Sequence, residues 1–515
     1  MFMKYLLILL SLLLVAAFPL GAQVNGVLTE VEGKTILKVW GDHYERGYAQ
    51  GSLLGSRILN IMDEYFYHSV CGNSSQTYNY ILNYYNARFV VNTSYTTEAT
   101  GVMEGIAAAG NSLWHNGLNR NLNATDLLLV NAIVDLSPLR NDIMDGEDLE
   151  LGCSSLSSWG DATLDDPVLQ GSLIHTRMLD WSPHATLVAN PLLVVHFPSE
   201  TTEQAWASFT YPGLLGALSA INFHGSAAFL NMGNSHGGSN FAGMNPILLT
   251  IREALEKQDY NGDNLFNRQD MQDALTGNVF RAGTIIHTIW DQNPGEEPVV
   301  FECNNYGTWA RTQNDVSGLP HDHLGATNHF RLMIDPAYCY RYANLITALA
   351  ADSLLTIAEH RPLLSTAAGV GTNLMTIQFI PITGQVSWST ATPENPAYLA
   401  AETILNTSQI FTFPTSNQDS QLSPGLSLSS YPNPMRNGGS ILLKLEENAN
   451  PLLEIYNLRG QLIRSFRPGI MERGDHEISW DGRDQNGQPA ASGIYLLKLS
   501  TPRGSISRRL LVIGE

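Results

Sequence analysis

Residues 149 to 181, LELGCSSLSSWGDATLDDPVLQGSLIHTRMLDW, hold a Gly152-Cys153 pair followed by Arg177 and Asp180, 24 and 27 positions beyond the cysteine. A cysteine attacks only when something takes its proton or favours its thiolate. If the chain is cut before Cys153, the new α-amine, with an ordinary pKa of ~7.7 to 8.0, can serve as that base, and no separate histidine is needed. Gly152 suits such a cut, because a residue without a Cβ lets the peptide bend and offers its carbonyl to the thiol. A returning strand would carry Arg177 and Asp180 back beside the cysteine. The carboxylate would then orient the amine, and the guanidinium would hold the carboxylate and polarise the site. Pattern alone leaves a surface ion pair as the competing reading, since a Gly-Cys pair is common.

Those residues need a scaffold. HYERGYAQGSLLGSRILNIMDEYFYHSV (43 to 70) has apolar positions at helical spacing, with Gly47, Gly51 and Gly55 leaving one face nearly bare backbone for close packing. ATGVMEGIAAAGNSLW and TDLLLVNAIVDL also read as helices. PLLVVHFPS, QAWASFTYPG, SAAFLNMG, PVVFECNN and TIQFIPI read as strands. Strands and helices grouped in blocks predict α+β layers rather than strict βαβ alternation. Near residues 415 to 428 the periodicity lapses into Ser, Gln, Asn and Pro, a linker. Short alternating runs separated by turn residues follow from 429 to 515, the signature of a small β-sandwich.

With 515 residues, two domains are expected. The formal charge of −20 would repel a phosphate backbone, which argues against nucleic acid as partner. The first 22 residues read as a signal peptide, one lysine and an apolar stretch before small residues, so an exported protein is expected, secreted or at the cell surface. No later run is long and apolar enough for a membrane-spanning helix. If Cys153 stays free, Cys71, Cys303 and Cys339 remain; a Cys303–Cys339 bridge has no spacing rule behind it, and buried thiols are the expectation.

GCSSLSSWGDAT followed by HTRMLDW resembles the N-terminal-nucleophile (Ntn) hydrolases, specifically the C45 peptidase family typified by acyl-CoA:6-aminopenicillanic-acid acyltransferase, with penicillin and bile-salt amidases as more distant relatives. The resemblance implies Cys153 as nucleophile, Arg177 as the family's arginine and Asp180 as the aspartate that contacts the α-amine, with autocleavage between Gly152 and Cys153. Ser154 stands where threonine is common, His175-Thr176 replaces a glycine before the arginine, and the hairpin is longer. YERGYAQGSLLGSRI resembles the family's early helix. YPGLLGALSAINFHGSAAFLNMG makes Asn222 a candidate oxyanion-hole donor, although a turn former before His224-Gly225 is the other reading. LGATNHF places Asn328 at the catalytic centre, and YCYRYANL supplies Arg341 as a second site arginine, with pairing to Asp335 as its alternative. His321, His323 and His329 include a ligand-like HxH spacing but lack a carboxylate at a diagnostic distance, so loop histidines are expected. No metal or organic cofactor is implied.

YPNP, IYNLRGQ, WDGRDQNG and SGIYLLKL, in order between 431 and 499, resemble the C-terminal sorting domain of type IX secretion; a passive immunoglobulin-like accessory domain is the alternative. The fold expected is thus a four-layer αββα Ntn hydrolase over 23 to 414, followed by the sandwich. Its activity would be amide hydrolysis on acyl-amino acids, peptide-like or β-lactam-type amides. Its partners would be a small acyl or amide substrate and the secretion machinery, and its processed form an αβ heterodimer. A phospholipase B-like or ceramidase-like lipid hydrolase is the neighbouring enzyme reading; a catalytically silent surface-binding protein is the rival from another class.

Overall fold

The computed structural model describes residues 24–143, 151–233, 241–290, 296–332, 338–369, 372–414, 426–431, 435–436, 438–445, 448–457, 461–501 and 504–513. The signal-peptide assignment lies outside them. The chain forms two compact units that divide between Phe413 and Pro414.

In the first unit the strands are β1 (Gly26–Val31), β2 (Lys34–Gly41), the short pair β3 (Trp114–His115) and β4 (Arg120–Asn121), β5 (Leu151–Ser158), β6 (Ile174–Trp181), β7 (Leu192–Pro198), β8 (Trp206–Thr210), β9 (Ser219–Asn222), β10 (Ala227–Met232), β11 (Thr284–Ile289), β12 (Val299–Asn304), β13 (Gly307–Arg311), β14 (His323–Ala326), β15 (Met375–Ile380), β16 (Gln385–Thr390) and β17 (Thr403–Asn406). They build a nine-stranded sheet in the order β1-β2-β7-β8-β9-β10-β11-β12-β13 and a six-stranded sheet in the order β14-β5-β6-β15-β16-β17. Pairing is antiparallel within both, except that β2 runs parallel to β7. All five segments predicted as strands are strands here.

The helices are α1 (His43–Asn60), α2 (Ser75–Arg88), α3 (Thr93–Ala108), α4 (Ala124–Asn131), α5 (Ile133–Ile143), α6 (Ile247–Glu256), α7 (Arg268–Thr276), α8 (Tyr340–Ala351) and α9 (Ile357–Ala368). α1 and α6 lie on the nine-stranded sheet, α8 and α9 on the six-stranded one, and β5 meets β10 and β14 meets β12 between the sheets. The result is four layers: helices, sheet, sheet, helices.

α1 starts where Asp42 accepts from the Glu45 N–H while the Glu45 carboxylate accepts from the Asp42 N–H, a reciprocal cap. Its glycine face packs on α3: a Cβ at Gly47 would sit 2.0 Å from the Glu98 carbonyl oxygen, and one at Gly51 2.0 Å from that of Val102. Gly101 and Gly105 return the contact to Tyr44 and Tyr48. Two expectations need correction. The helix read over 43 to 70 turns into a π-helix at Ile61–Val70, and the one read through Trp114 ends at Ala108, ahead of Gly110 at φ +84°.

The second unit is two facing antiparallel-rich sheets. β18 (Leu426–Tyr431), β20 (Gly439–Leu445) and β23 (Gly474–Trp480) form one; β19 (Met435–Arg436), β25 (Gly504–Ile513), β24 (Gly493–Thr501), β21 (Leu452–Asn457) and β22 (Leu462–Phe466) form the other. Alternating residues such as Ile441, Leu443, Leu453, Ile455, Tyr495, Leu497 and Leu499 fill the space between them with Trp480. β18 begins at Leu426, so the last three residues assigned to the linker are strand.

Candidate active site

β5 and β6 form an antiparallel pair in which Gly152 lies opposite Asp180, Cys153 opposite Leu179 and Ser155 opposite Arg177. Side chains alternate along a strand, so Cys153, Ser155 and Arg177 share the face toward the nine-stranded sheet, while Asp180 belongs to the face toward α8. The three-residue step from Arg177 to Asp180 therefore splits the pair. The guanidinium is on the thiol's side; the carboxylate lies behind the Gly152–Cys153 peptide.

On the first face, Arg177 Nη2 lies 3.6 Å from Cys153 Sγ and donates to the Leu230 carbonyl of β10 at 2.7 Å. Cys153 is 2% exposed. Burial pushes its thiol up, while Arg177 and the Met232 N–H pull the other way without prevailing. The uncut chain thus holds a neutral thiol beside a cation. Among the described residues no histidine or carboxylate is hydrogen-bonded to Sγ. The Cys153 N–H donates to Asn328 Oδ1 at 3.0 Å, and Asn328 Nδ2 donates to the Met232 carbonyl at 2.9 Å. Asn328 thereby fixes the nitrogen that cleavage would turn into an amine.

On the second face, Arg341 of α8 donates from Nη1 to Asp180 Oδ2 at 2.6 Å, and Asn373 donates to Asp180 Oδ1 at 2.9 Å. Burial pushes the Asp180 carboxyl up, with Arg341 and Asn373 holding it down. The Arg341 guanidinium lies directly over Gly152: a Cβ there would be 2.5 Å from Nη2. A side chain at this position would have to displace that guanidinium or the strand.

Cys153, Arg177, Asp180, Asn328 and Arg341 are therefore brought together around Gly152. Asn222 is not. Its Oδ1 accepts from the His224 and Ser226 N–H groups and its Nδ2 donates to the Leu255 carbonyl of α6, on the outer side of the nine-stranded sheet. Asn222 is a turn former, and its assignment as oxyanion donor is corrected. Of the histidines near 321 to 329, His323 spends both nitrogens on Ser158 Oγ and the Ser353 carbonyl. All four cysteines are buried free thiols.

The structure adds residues that the sequence reading missed. Asn373 carries one oxygen of Asp180. Asn231 donates to Ser155 Oγ and the Ala326 carbonyl, and His287 joins Ser155 to Ser157, which also bonds His175. Strand alternation of Ser155 and Ser157 with Cys153 was the available signal for this chain of contacts. Elsewhere, His43, Glu203 and Glu256 come within metal-ligating reach of one another. Arg46 and Arg252 already pair with those carboxylates and with Glu98, which makes the group a buried ion network.

A four-layer α+β unit with a cysteine-centred site and a separate β-sandwich is the class of protein these features define. Residues 435–505 match the family model described as FlgD Ig-like domain. Protein dcd1B of Dictyostelium discoideum is 23% identical over 188 residues, 36% of this chain and 36% of its own length, so the chain spans about a third of that curated relative. Among solved structures, the Caenorhabditis elegans N-acylethanolamine-hydrolyzing acid amidase ortholog is similar at 17% identity, over 44% of this chain and 93% of its own, with a TM-score of 0.32. A mutant of the conjugated bile acid hydrolase from Clostridium perfringens is similar at 9% identity, over 50% and 84%, with a TM-score of 0.24. Among the described residues no helix is long and apolar enough to cross a membrane.

Proposed function

We propose that this chain is an exported, self-processing cysteine hydrolase of the N-terminal-nucleophile kind that opens amide bonds through a thioester on Cys153. One observation carries the reading: a buried cysteine with a guanidinium at its thiol, a carboxylate behind its peptide nitrogen, and no side-chain base bonded to Sγ among the described residues. Such a site lacks only a base, and a cut at Gly152–Cys153 supplies one.

In the precursor, the thiol adds to the Gly152 carbonyl carbon, the 152–153 C–N bond breaks, and the thiol proton passes to the departing nitrogen. Water then hydrolyses the thioester to the Gly152 carboxylate and the free thiol. In turnover the new amine takes the thiol proton, and Sγ adds to the substrate carbonyl. The amine returns the proton to the leaving nitrogen, and water releases the acid from the acyl-enzyme. Arg177 stabilises the thiolate, and Asp180, set by Arg341 and Asn373, orients the ammonium. Outside a cell, hydrolysis is favoured over acyl transfer because water is abundant and acyl-CoA is not. The sandwich serves as the secretion sorting module, a role supported by the order of its sequence landmarks.

Expression without residues 1 to 22, followed by a denaturing gel and N-terminal sequencing, tests the reading. Two fragments, the second opening at Cys153 and absent in Cys153→Ala, are expected; a folded wild-type chain that stays whole overturns it. Removal of residues 429 to 515 should leave the processed enzyme unexported in the native host.

A further inference from the structure

A polar pocket lies between the π-helix and the segment that carries β3 and β4, and neither the proposed reaction nor the buried ion network uses it. It holds about 460 Å³, inside the range of about 300–1,000 Å³ usual for small-molecule sites, and Asp63, Tyr67, His68, Trp114 and His115 are among its walls. The π-helix sets one side. Its hydrogen bonds join residues five apart, so Asp63 and His68 fall on one face, with His68 Nε2 3.4 Å from Asp63 Oδ1. The 112–122 segment sets the other: a Cβ at Gly117 would sit 2.4 Å from Tyr67 Oη, so this segment rests directly on the tyrosine. The π-helix residue bonded to Trp181 of β6 is Tyr65, which does not line the pocket, so the site is separate from that of Cys153.

The chemistry of the walls restricts the occupant. His115 is 5% exposed, and its ring meets that of Tyr67 edge-on at 4.5 Å. Its Nδ1 accepts the Leu118 N–H at 3.1 Å, which leaves the ring proton on Nε2. That Nε2 is buried 3.1 Å from Asp63 Oδ1, yet makes no hydrogen bond. A donor so placed turns away a metal ion, which needs the nitrogen's lone pair, although Asp63, Glu64 and His68 come within ligating reach of one another. It suits an oxygen that accepts from His115 and donates to Asp63, and a hydroxyl does both. The Trp114 indole is 51% exposed but held, Nε1 donating to Asn116 Oδ1 at 3.1 Å. A fixed aromatic face beside such polar groups fits a ring with hydroxyls at its edge and C–H groups on its face.

We infer that this pocket binds a pyranose sugar, free or at the end of a glycan, with its C–H face on Trp114 and one hydroxyl bridging His115 Nε2 and Asp63 Oδ1. Asn60, Asn73 and Asn116, all exposed, offer amides to the other hydroxyls. The inference does not depend on the hydrolase function proposed above.

The test uses the full chain with the methyl glycosides of glucose, galactose, mannose and N-acetylglucosamine, read by tryptophan fluorescence and saturation-transfer NMR. At least one should bind with a millimolar Kd. Trp114→Ala and Asp63→Asn should each weaken it about tenfold or more, with thermal melts showing that both variants still fold. The disaccharide built from the bound sugar separates the two sources: tighter binding than the methyl glycoside marks the end of a glycan, and equal binding marks a free sugar. No binding of any glycoside up to about 100 mM overturns the proposal, as does wild-type affinity in either folded variant. Zinc that displaces the glycoside and is itself lost in His68→Ala would make the pocket a metal centre and also overturn it.

Discussion

Gly152→Ala probes the contact between Arg341 and the proposed cleavage junction. The added methyl carbon would lie 2.5 Å from Arg341 Nη2, 2.8 Å from Nη1 and 2.9 Å from Cζ. Reaching ordinary contact requires a shift of about 1 Å. An arginine tip normally yields easily, but this one is held by Asp180 at 2.6 Å and by the Tyr340 hydroxyl at 3.1 Å. Asp180 is 1% exposed; stripping it of its cation would cost about 3–5 kcal/mol. The cheaper response keeps the pair and displaces the strand, at about 1–3 kcal/mol. That strain bears on the carbonyl Sγ must reach, so self-cleavage should slow by roughly 5- to 150-fold. A time course of precursor loss on denaturing gels measures it. Removing the obstruction should remove the effect: Gly152→Ala/Arg341→Ala should cleave no more slowly than Arg341→Ala alone. An alanine variant that cleaves at the wild-type rate, or losses that simply multiply in the double variant, would refute the reasoning.

Other expectations follow from the same geometry. Asn222→Ala should leave the self-cleavage rate unchanged while lowering stability by about 1 kcal/mol in urea melts, because its side chain closes a turn. Burial raises the Asp135 pKa to about 7. The folded state then holds a proton that the unfolded state releases above pH ~4, so the contribution of Asp135 to stability should fall between pH ~4 and ~7 by up to roughly 4 kcal/mol and level off above, against the opposite slope from buried histidines such as His175, His196, His287 and His360, whose pKa values burial lowers. The difference between the wild-type and Asp135→Asn profiles by denaturant titration isolates that share; two profiles that run parallel reject the assignment. Glu98→Gln leaves Arg252 short of charge inside the buried network and should cost about 3–5 kcal/mol, read as a lowered urea midpoint.

The sequence carried the site further than the scaffold. Gly152, Cys153, Arg177 and Asp180 were legible because one hairpin brings them together, and hairpin pairing is local. The expectation that the Arg177 guanidinium holds the Asp180 carboxylate fails, because positions three apart on a strand point opposite ways, and Arg341 takes that place. Asn222 misled because an asparagine ending a strand before His-Gly looks the same whether it closes a turn or faces a reacting carbonyl. Only the position of α6 over that edge of the sheet decides. Asn373 was invisible for another reason: it reaches Asp180 from 193 residues away, and a loop asparagine before a strand has no distinguishing pattern. The π turn after Asn60 was hidden because its apolar residues continue the helical spacing that precedes it.

The parallel junction of β2 with β7 gives the proposed cut a further consequence. Parallel neighbours need a crossover, and here the crossover spans residues 42 to 191 and contains the bond between Gly152 and Cys153. While that bond is intact, β2 meets β7 at the high effective concentration of one chain, on the order of millimolar. Once it is severed, the folded sheet and the buried ion network still hold the pieces, since His43, Arg46 and Glu98 come from one fragment and Glu203, Arg252 and Glu256 from the other. After unfolding, however, the fragments meet only at their concentration in solution. The processed enzyme would therefore keep a fold that it could not readily regain when dilute, its persistence governed by the rate of unfolding rather than by equilibrium.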